Sequence, residues 1–167
     1  VLAARPLDDT IAIGYSFPSQ LLEPRAMATG LRQALHQMGY NYVLAPLAPD
    51  APAADRLDRA RVLFLPALVC LSEAERTRIH AFARRGGRVI ALGPNGIRDT
   101  AGNRRTPAAD TASPGDQEMF ADAAPSLGGT DAWAAVAGSA ARQAFQEALG
   151  PNLAAAGLKP AAQFVDA

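Results

Sequence analysis

Along the first hundred positions the apolar residues alternate between two rhythms, compact runs of about five and amphipathic stretches with helical spacing. Residues 10–15 (Thr-Ile-Ala-Ile-Gly-Tyr) form a β-rich run, and the turn formers Ser16-Phe17-Pro18-Ser19 behind it predict a strand that ends in a loop. Beyond Pro24, Met27, Leu31, Ala34, Leu35 and Met38 share one side of a helical wheel, while Arg25, Arg32, Gln33 and Gln37 lie off it. Gly39 then supplies a left-handed stop. A second strand is expected within 40–46. Pro49 and Pro52, between Ala48 and Ala54, forbid a regular helix, and residues 55–60 suit one short turn.

Arg61-Val-Leu-Phe-Leu, closed by Pro66, is a continuous apolar run of the kind expected in a parallel strand covered on both faces. Ser72-Glu73-Ala74-Glu75 reads as a capping box, with the Ser72 hydroxyl and the Glu75 carboxylate each meeting the other's backbone amide. The helix it opens would turn Ile79, Phe82 and Ala83 inward, carry Arg84 and Arg85 at its negative end and stop at Gly86-Gly87. Residues 88–92 make a fourth strand. Past it the periodicity fades, and residues 94–129, rich in Gly, Pro, Asp and Thr, read as a long excursion. A last helix is expected over 131–149, with Trp133, Val136, Ala140, Ala144, Phe145 and Leu149 on one side and a stop at Gly150-Pro151. The tail beyond it suits a further strand. Strands separated by helices predict right-handed crossovers and an α/β class, doubly wound around a mostly parallel sheet in three layers, α/β/α. The expectation is a single domain over 1–167, its core about 10–105 plus the last helix.

Composition narrows the function classes. Sixteen Lys and Arg against sixteen Asp and Glu leave no net charge, so nucleic acid and anionic membrane surfaces are poor partners. No stretch approaches the roughly 20 apolar residues of a bilayer span, and the opening residues lack the order of a signal peptide. One cysteine excludes an intrachain disulfide and a Cys-based zinc site. Metal and cofactor are therefore expected to be absent; the compartment stays open, with the cytoplasm favoured. Nearly half of the apolar residues are Ala, which marks helix more than core. The chain begins on Val1 and ends on the apolar run Phe164-Val165-Asp166-Ala167, which leads to the expectation of a piece of a longer protein.

In open parallel sheets ligands gather beyond the carboxyl ends of the strands. The loops there offer Ser16, Cys70 with Ser72, and Asn95 with Asp99. No Gly-x-Gly-x-x-Gly follows the first strand and no Walker loop exists, so a dinucleotide or nucleoside triphosphate enzyme is not expected. Cys70 lies just before a helix N-terminus, where a thiol can become nucleophilic. Its ordinary reading is an apolar filler between Val69 and Leu71. His36 and His80, the two histidines, fall in helix bodies rather than loops, which leaves a Cys nucleophile without an obvious base. Ser16, Asn95 and Asp99, with Tyr15 or Phe17 stacking, form the candidate ligand site.

The stretch from Arg61 to Glu75, followed by Ile79-His-Ala-Phe-Ala-Arg-Arg-Gly86-Gly87-Arg-Val-Ile-Ala-Leu-Gly93 and Asn95-Gly96-Ile97-Arg98-Asp99, resembles the class I glutamine amidotransferase-like domain of family 42 β-galactosidases, their trimerisation domain. The resemblance covers about residues 10–105. It implies a flavodoxin-like fold, a homo-oligomer such as a trimer, and the catalytic barrel of the parent chain as partner. It also implies an absence of amidotransferase chemistry: those enzymes carry a nucleophilic Cys in a Gly-x-Cys-x-Gly elbow after the fourth strand and a later His-x-Glu pair. This chain has Gly93-Pro94-Asn95-Gly96 there and no histidine after His80. The resemblance thus points to a non-catalytic module, with a diverged Cys70 hydrolase or a small-ligand or carbohydrate-binding module as alternatives.

Overall fold

A computed structural model describes residues 11–22, 27–92, 95–105 and 139–160. In chain order the elements are β1 (Ile11–Tyr15), α1 (Phe17–Leu22), α2 (Met27–Gln37), β2 (Val43–Pro46), α3 (Arg56–Arg59), β3 (Val62–Pro66), α4 (Glu73–Arg84), β4 (Arg88–Leu92) and α5 (Ser139–Ala155). The four strands form one parallel sheet in the order β2-β1-β3-β4. The chain winds outward from β1 to β2, returns to β3 on the other side of β1, and continues outward to β4. The doubly wound α/β expectation holds, and the reversal falls between β1 and β3.

Strand periodicity divides the core in two. Ile11, Ile13, Val62, Phe64, Ile90 and Leu92 point to one face, where they meet Leu31 and Leu35 of α2 and Leu149 and Leu153 of α5. Ala12, Leu63 and Leu65 point to the other and meet Leu57 of α3 and Ile79 and Phe82 of α4. All five residues of β3 are buried, as its unbroken apolar run requires when helices cover both faces.

Local signals act as expected in α4, where the capping box is complete: Ser72 Oγ accepts from Glu75 N at 3.1 Å and Glu75 Oε2 accepts from Ser72 N at 2.7 Å. Arg78 of α4 donates to the carbonyls of Pro46 and Ala48, both at 3.3 Å, and to that of Ala54, which ties the proline-rich 48–54 segment to the helix. Gly39 (φ 76°) closes α2 and Gly86 (φ 90°) closes α4.

Two expectations are corrected. Ser16-Phe17-Pro18-Ser19 is not a plain loop, because α1 begins at Phe17. Pro18 falls in the first turn, where its missing amide is not needed. The last helix does not stop at Gly150-Pro151 but runs to Ala155. Pro151 removes one helical donor, yet Asn152 Nδ2 donates to Ala148 O at 3.1 Å, and Leu149 and Leu153, one turn apart and fully buried, hold both halves on the sheet. The stop comes at Gly157 (φ 72°), with Leu158 N donating to Leu153 O at 3.1 Å. Residues 131–138, with Trp133 and Val136, most of the 94–129 excursion, and the 161–167 tail lie outside the described residues, as do the side chains of Ala140, Ala144 and Phe145.

Candidate functional site

The reversal between β1 and β3 opens a crevice beyond their carboxyl ends, the usual ligand position in such sheets. Here the chain itself occupies it. After Pro66 the backbone turns at Ala67, a non-glycine residue in the left-handed region (φ 50°), whose amide donates to Leu92 O at 2.7 Å. The following residues, Leu68 to Leu71, are buried across the strand ends.

Polar side chains pin this segment from both sides. Ser16 Oγ donates to Cys70 O at 3.0 Å and Ser19 Oγ donates to the same oxygen at 2.5 Å. Ser19 Oγ also accepts from Cys70 N at 2.9 Å. A spacing of three at the start of α1 sets both hydroxyls on one side of the helical turn. From the β4 side, Asn95 Oδ1 accepts from Leu68 N at 2.7 Å, and Gly96 N donates to Leu68 O at 2.8 Å. Arg98 N donates to Val69 O and Leu71 N donates to Arg98 O, so Cys70 and Arg98 form a parallel bridge.

Two of the sequence-predicted residues, Ser16 and Asn95, therefore meet across this segment; they are 0% and 3% exposed. Asp99 stands apart on the loop beyond. Its Oδ1 accepts from Ala101 N at 2.9 Å and Asn103 N at 2.8 Å, and its Oδ2 accepts from Asn103 Nδ2 at 3.1 Å. The hydrogen bond from the Asn103 side chain, followed by that from its backbone, holds the Asp99 carboxyl below its ordinary value. Arg105 fastens the loop to the start of α4: it pairs with Glu73 and donates to Leu71 O at 2.6 Å. Sequence reasoning missed Ser19, although the Ser-x-x-Ser spacing beside Pro18 carried the signal.

Cys70 is fully buried beneath these contacts. His36 is exposed on α2, and His80 lies two turns into α4. Gly93 and Pro94, the first half of the turn after β4, lie outside the described residues. Among the described residues no group of three His, Cys, Asp or Glu is arranged to hold a metal ion, and no helix is long and apolar enough to cross a membrane.

Around the filled crevice the rim is apolar and exposed. Phe17 and Leu21, one turn apart on α1, are 61% and 65% exposed, and Tyr15, Leu44 and Ile97 are also open. In the β1–β2 register Ile13 faces Leu44, so Tyr15 and Leu44 are diagonal neighbours on one face of the sheet. This rim can bury apolar surface against another protein or stack an aromatic ring on a sugar.

No family model and no curated protein matches the chain. Among solved structures it is similar to a β-galactosidase from Bifidobacterium adolescentis, with a TM-score of 0.52 and 24% identity. The likeness covers 67% of this chain and 51% of that one, so the chain spans about half the length of its structural neighbour. At this identity the likeness is one of fold alone.

Proposed function

We propose that the chain is a non-catalytic, amidotransferase-like module of a glycoside-hydrolase-related protein of the β-galactosidase type, serving oligomerisation or completing a substrate entrance. The carrying observation is the contrast at the carboxyl end of the sheet. The crevice that would admit a ligand is filled and hydrogen-bonded by residues 66–71, while its rim exposes Tyr15, Phe17 and Leu21. Fully burying one large apolar side chain is worth about 1.5–3 kcal/mol. The Phe17–Leu21 pair can thus form the apolar centre of a larger subunit or domain contact. The resemblance in the 61–99 stretch and the shared fold with a β-galactosidase chain support the same reading. Under it the 1–167 chain is one domain whose partners are a second copy and a catalytic barrel.

Sedimentation equilibrium tests the assembly role. The chain is expected to associate with rising concentration, and Phe17→Asp with Leu21→Asp to leave it monomeric with an unchanged circular dichroism spectrum. A strictly monomeric native chain overturns self-association.

A second reading, a carbohydrate-binding surface, is favoured by two exposed aromatic rings, Tyr15 and Phe17, where β1 passes into α1. Galactose or lactose should then raise the melting temperature by mass action, and Phe17→Ala should abolish the shift.

A further inference from the structure

At the opposite end of the sheet from the crevice, a cavity of about 630 Å³ lies against the amino ends of β3 and β4. It is lined by Arg61, Arg85 and Arg88, by Asp58, by the bare backbone of Gly86-Gly87, and by Ala155 and Ala156 at the end of α5. Three arginines and one aspartate line it, in a chain whose overall charge is zero. The carboxyl ends of α3, α4 and α5 also reach this cavity; a full-length helix carries about half a negative charge there and the one-turn α3 less. Three arginines against one aspartate and these helix ends leave a positive excess of at most about one charge.

The three arginines are not equivalent. Arg85 is committed: it pairs with Asp58 at 3.1 Å, donates to Leu57 O at 2.5 Å and lies 4.9 Å from the centre of the Phe82 ring. Arg88 is oriented by Asn152, to which it donates at 2.8 Å, and this bond leaves most of its donors open. The guanidinium of Arg61 has no partner among the described residues. The two are placed by adjacent strands: Arg88 N donates to Arg61 O, and Arg88 is in register with Val62. Side chains alternate along a strand, so Arg88 belongs to the α5 face while Arg61, one residue before Val62, starts toward the α3–α4 face.

Two guanidinium forks arriving from opposite faces want an acceptor with oxygens in more than one plane. A carboxylate offers two coplanar oxygens and suits one fork; a phosphoryl group offers a tetrahedral set and suits two. Gly86 lets such a group approach, since a Cβ there would meet open space. We propose that this cavity binds a phosphoryl group, as free phosphate or as a sugar phosphate, between Arg61 and Arg88. The site is independent of the assembly surface, which lies at the other end of the sheet.

Equilibrium dialysis with labelled inorganic phosphate, at low and constant ionic strength, tests the site. Saturable binding of one phosphate per chain is expected, weakened about tenfold or more by Arg61→Gln and by Arg88→Gln and unaffected by Arg84→Gln, a neighbouring arginine outside the cavity lining. Competition by glucose 6-phosphate stronger than that by free phosphate assigns the site to sugar phosphates; equal competition assigns it to the free ion. Unsaturable binding, or equal loss in all three variants, overturns the proposal. So does a poly-glutamate peptide that binds where phosphate does not, which would make the arginines a contact for an acidic protein. Circular dichroism of Arg61→Gln and Arg88→Gln separates lost binding from lost fold.

Discussion

Replacing Ser19 by Ala removes the one side chain that meets both backbone groups of Cys70. The Cys70 carbonyl keeps its second donor, Ser16 Oγ at 3.0 Å, but the Cys70 amide loses its 2.9 Å acceptor in a fully buried position. A buried group left without a partner costs about 1–3 kcal/mol. Ser19→Ala should therefore lower stability by about 2 kcal/mol, which in a chain of this length is about 4–8 °C in melting temperature. Ser16→Ala leaves both Cys70 groups satisfied through Ser19 and should cost about 1 kcal/mol, the worth of one net hydrogen bond. The double variant leaves the carbonyl without either donor, so its cost should exceed the sum of the single losses by about 1 kcal/mol. Urea denaturation of the four proteins, with the denaturant slope checked for constancy, measures each term. Strict additivity, with Ser19→Ala inside about 0.5 kcal/mol of the native protein, would falsify the account of a pinned segment, because surface-like sites show losses of that size.

Three further outcomes follow from single contacts. A Cβ at Gly87 would lie 2.4–2.6 Å from ring carbons of Phe82, so Gly87→Ala should destabilise by about 2 kcal/mol through overpacking, read as a lower urea midpoint. The Asp99 carboxyl is held low by Asn103, so its folded value lies below its unfolded one; the stabilisation it gives the 99–103 loop is complete above about pH 3.9 and is lost as pH falls through the folded value. Following the Asn103 amide by NMR during acid titration should show that late transition, absent in Asp99→Asn; a transition at or above the ordinary carboxylate range contradicts the assignment. Cys70 is fully buried and should react with iodoacetamide only in denaturant, whereas stoichiometric labelling of the native chain would revive a Cys70-based hydrolase.

The sequence made legible whatever depends on near neighbours. The capping box at Ser72 and Glu75, the glycine stops at Gly39 and Gly86, and the doubly covered β3 are short-range or periodic signals, and the structure contains each of them. Local punctuation failed where long-range packing outweighed it. Gly150-Pro151 reads as a stop, but Leu149 and Leu153 bury fully on the sheet and Asn152 restores a contact to Ala148, so the helix continues. Pro18 reads as a loop former but sits in a first helical turn. Ser16 was readable as a residue beyond the first strand, yet its partner, Cys70, is 54 positions away. That pairing exists only because β3 is laid beside β1, a fact of strand order that no local pattern contains.

Strand order also explains why the customary pocket is closed. With β3 beside β1, the segment leaving β3 must cross the crevice before it can enter α4, and Ala67 accepts a left-handed backbone to send it that way, at a cost of about 1–2 kcal/mol for a residue with a Cβ. Ser16, Ser19 and Asn95 then satisfy the buried polar groups of Leu68 and Cys70 that water would otherwise have to reach. Those hydrogen bonds tie β1, β3 and the turn after β4 into one rigid end plate. Under the proposed assembly role this rigidity would hold Phe17 and Leu21 in a fixed arrangement, because a contact between ordered side chains loses less entropy on association.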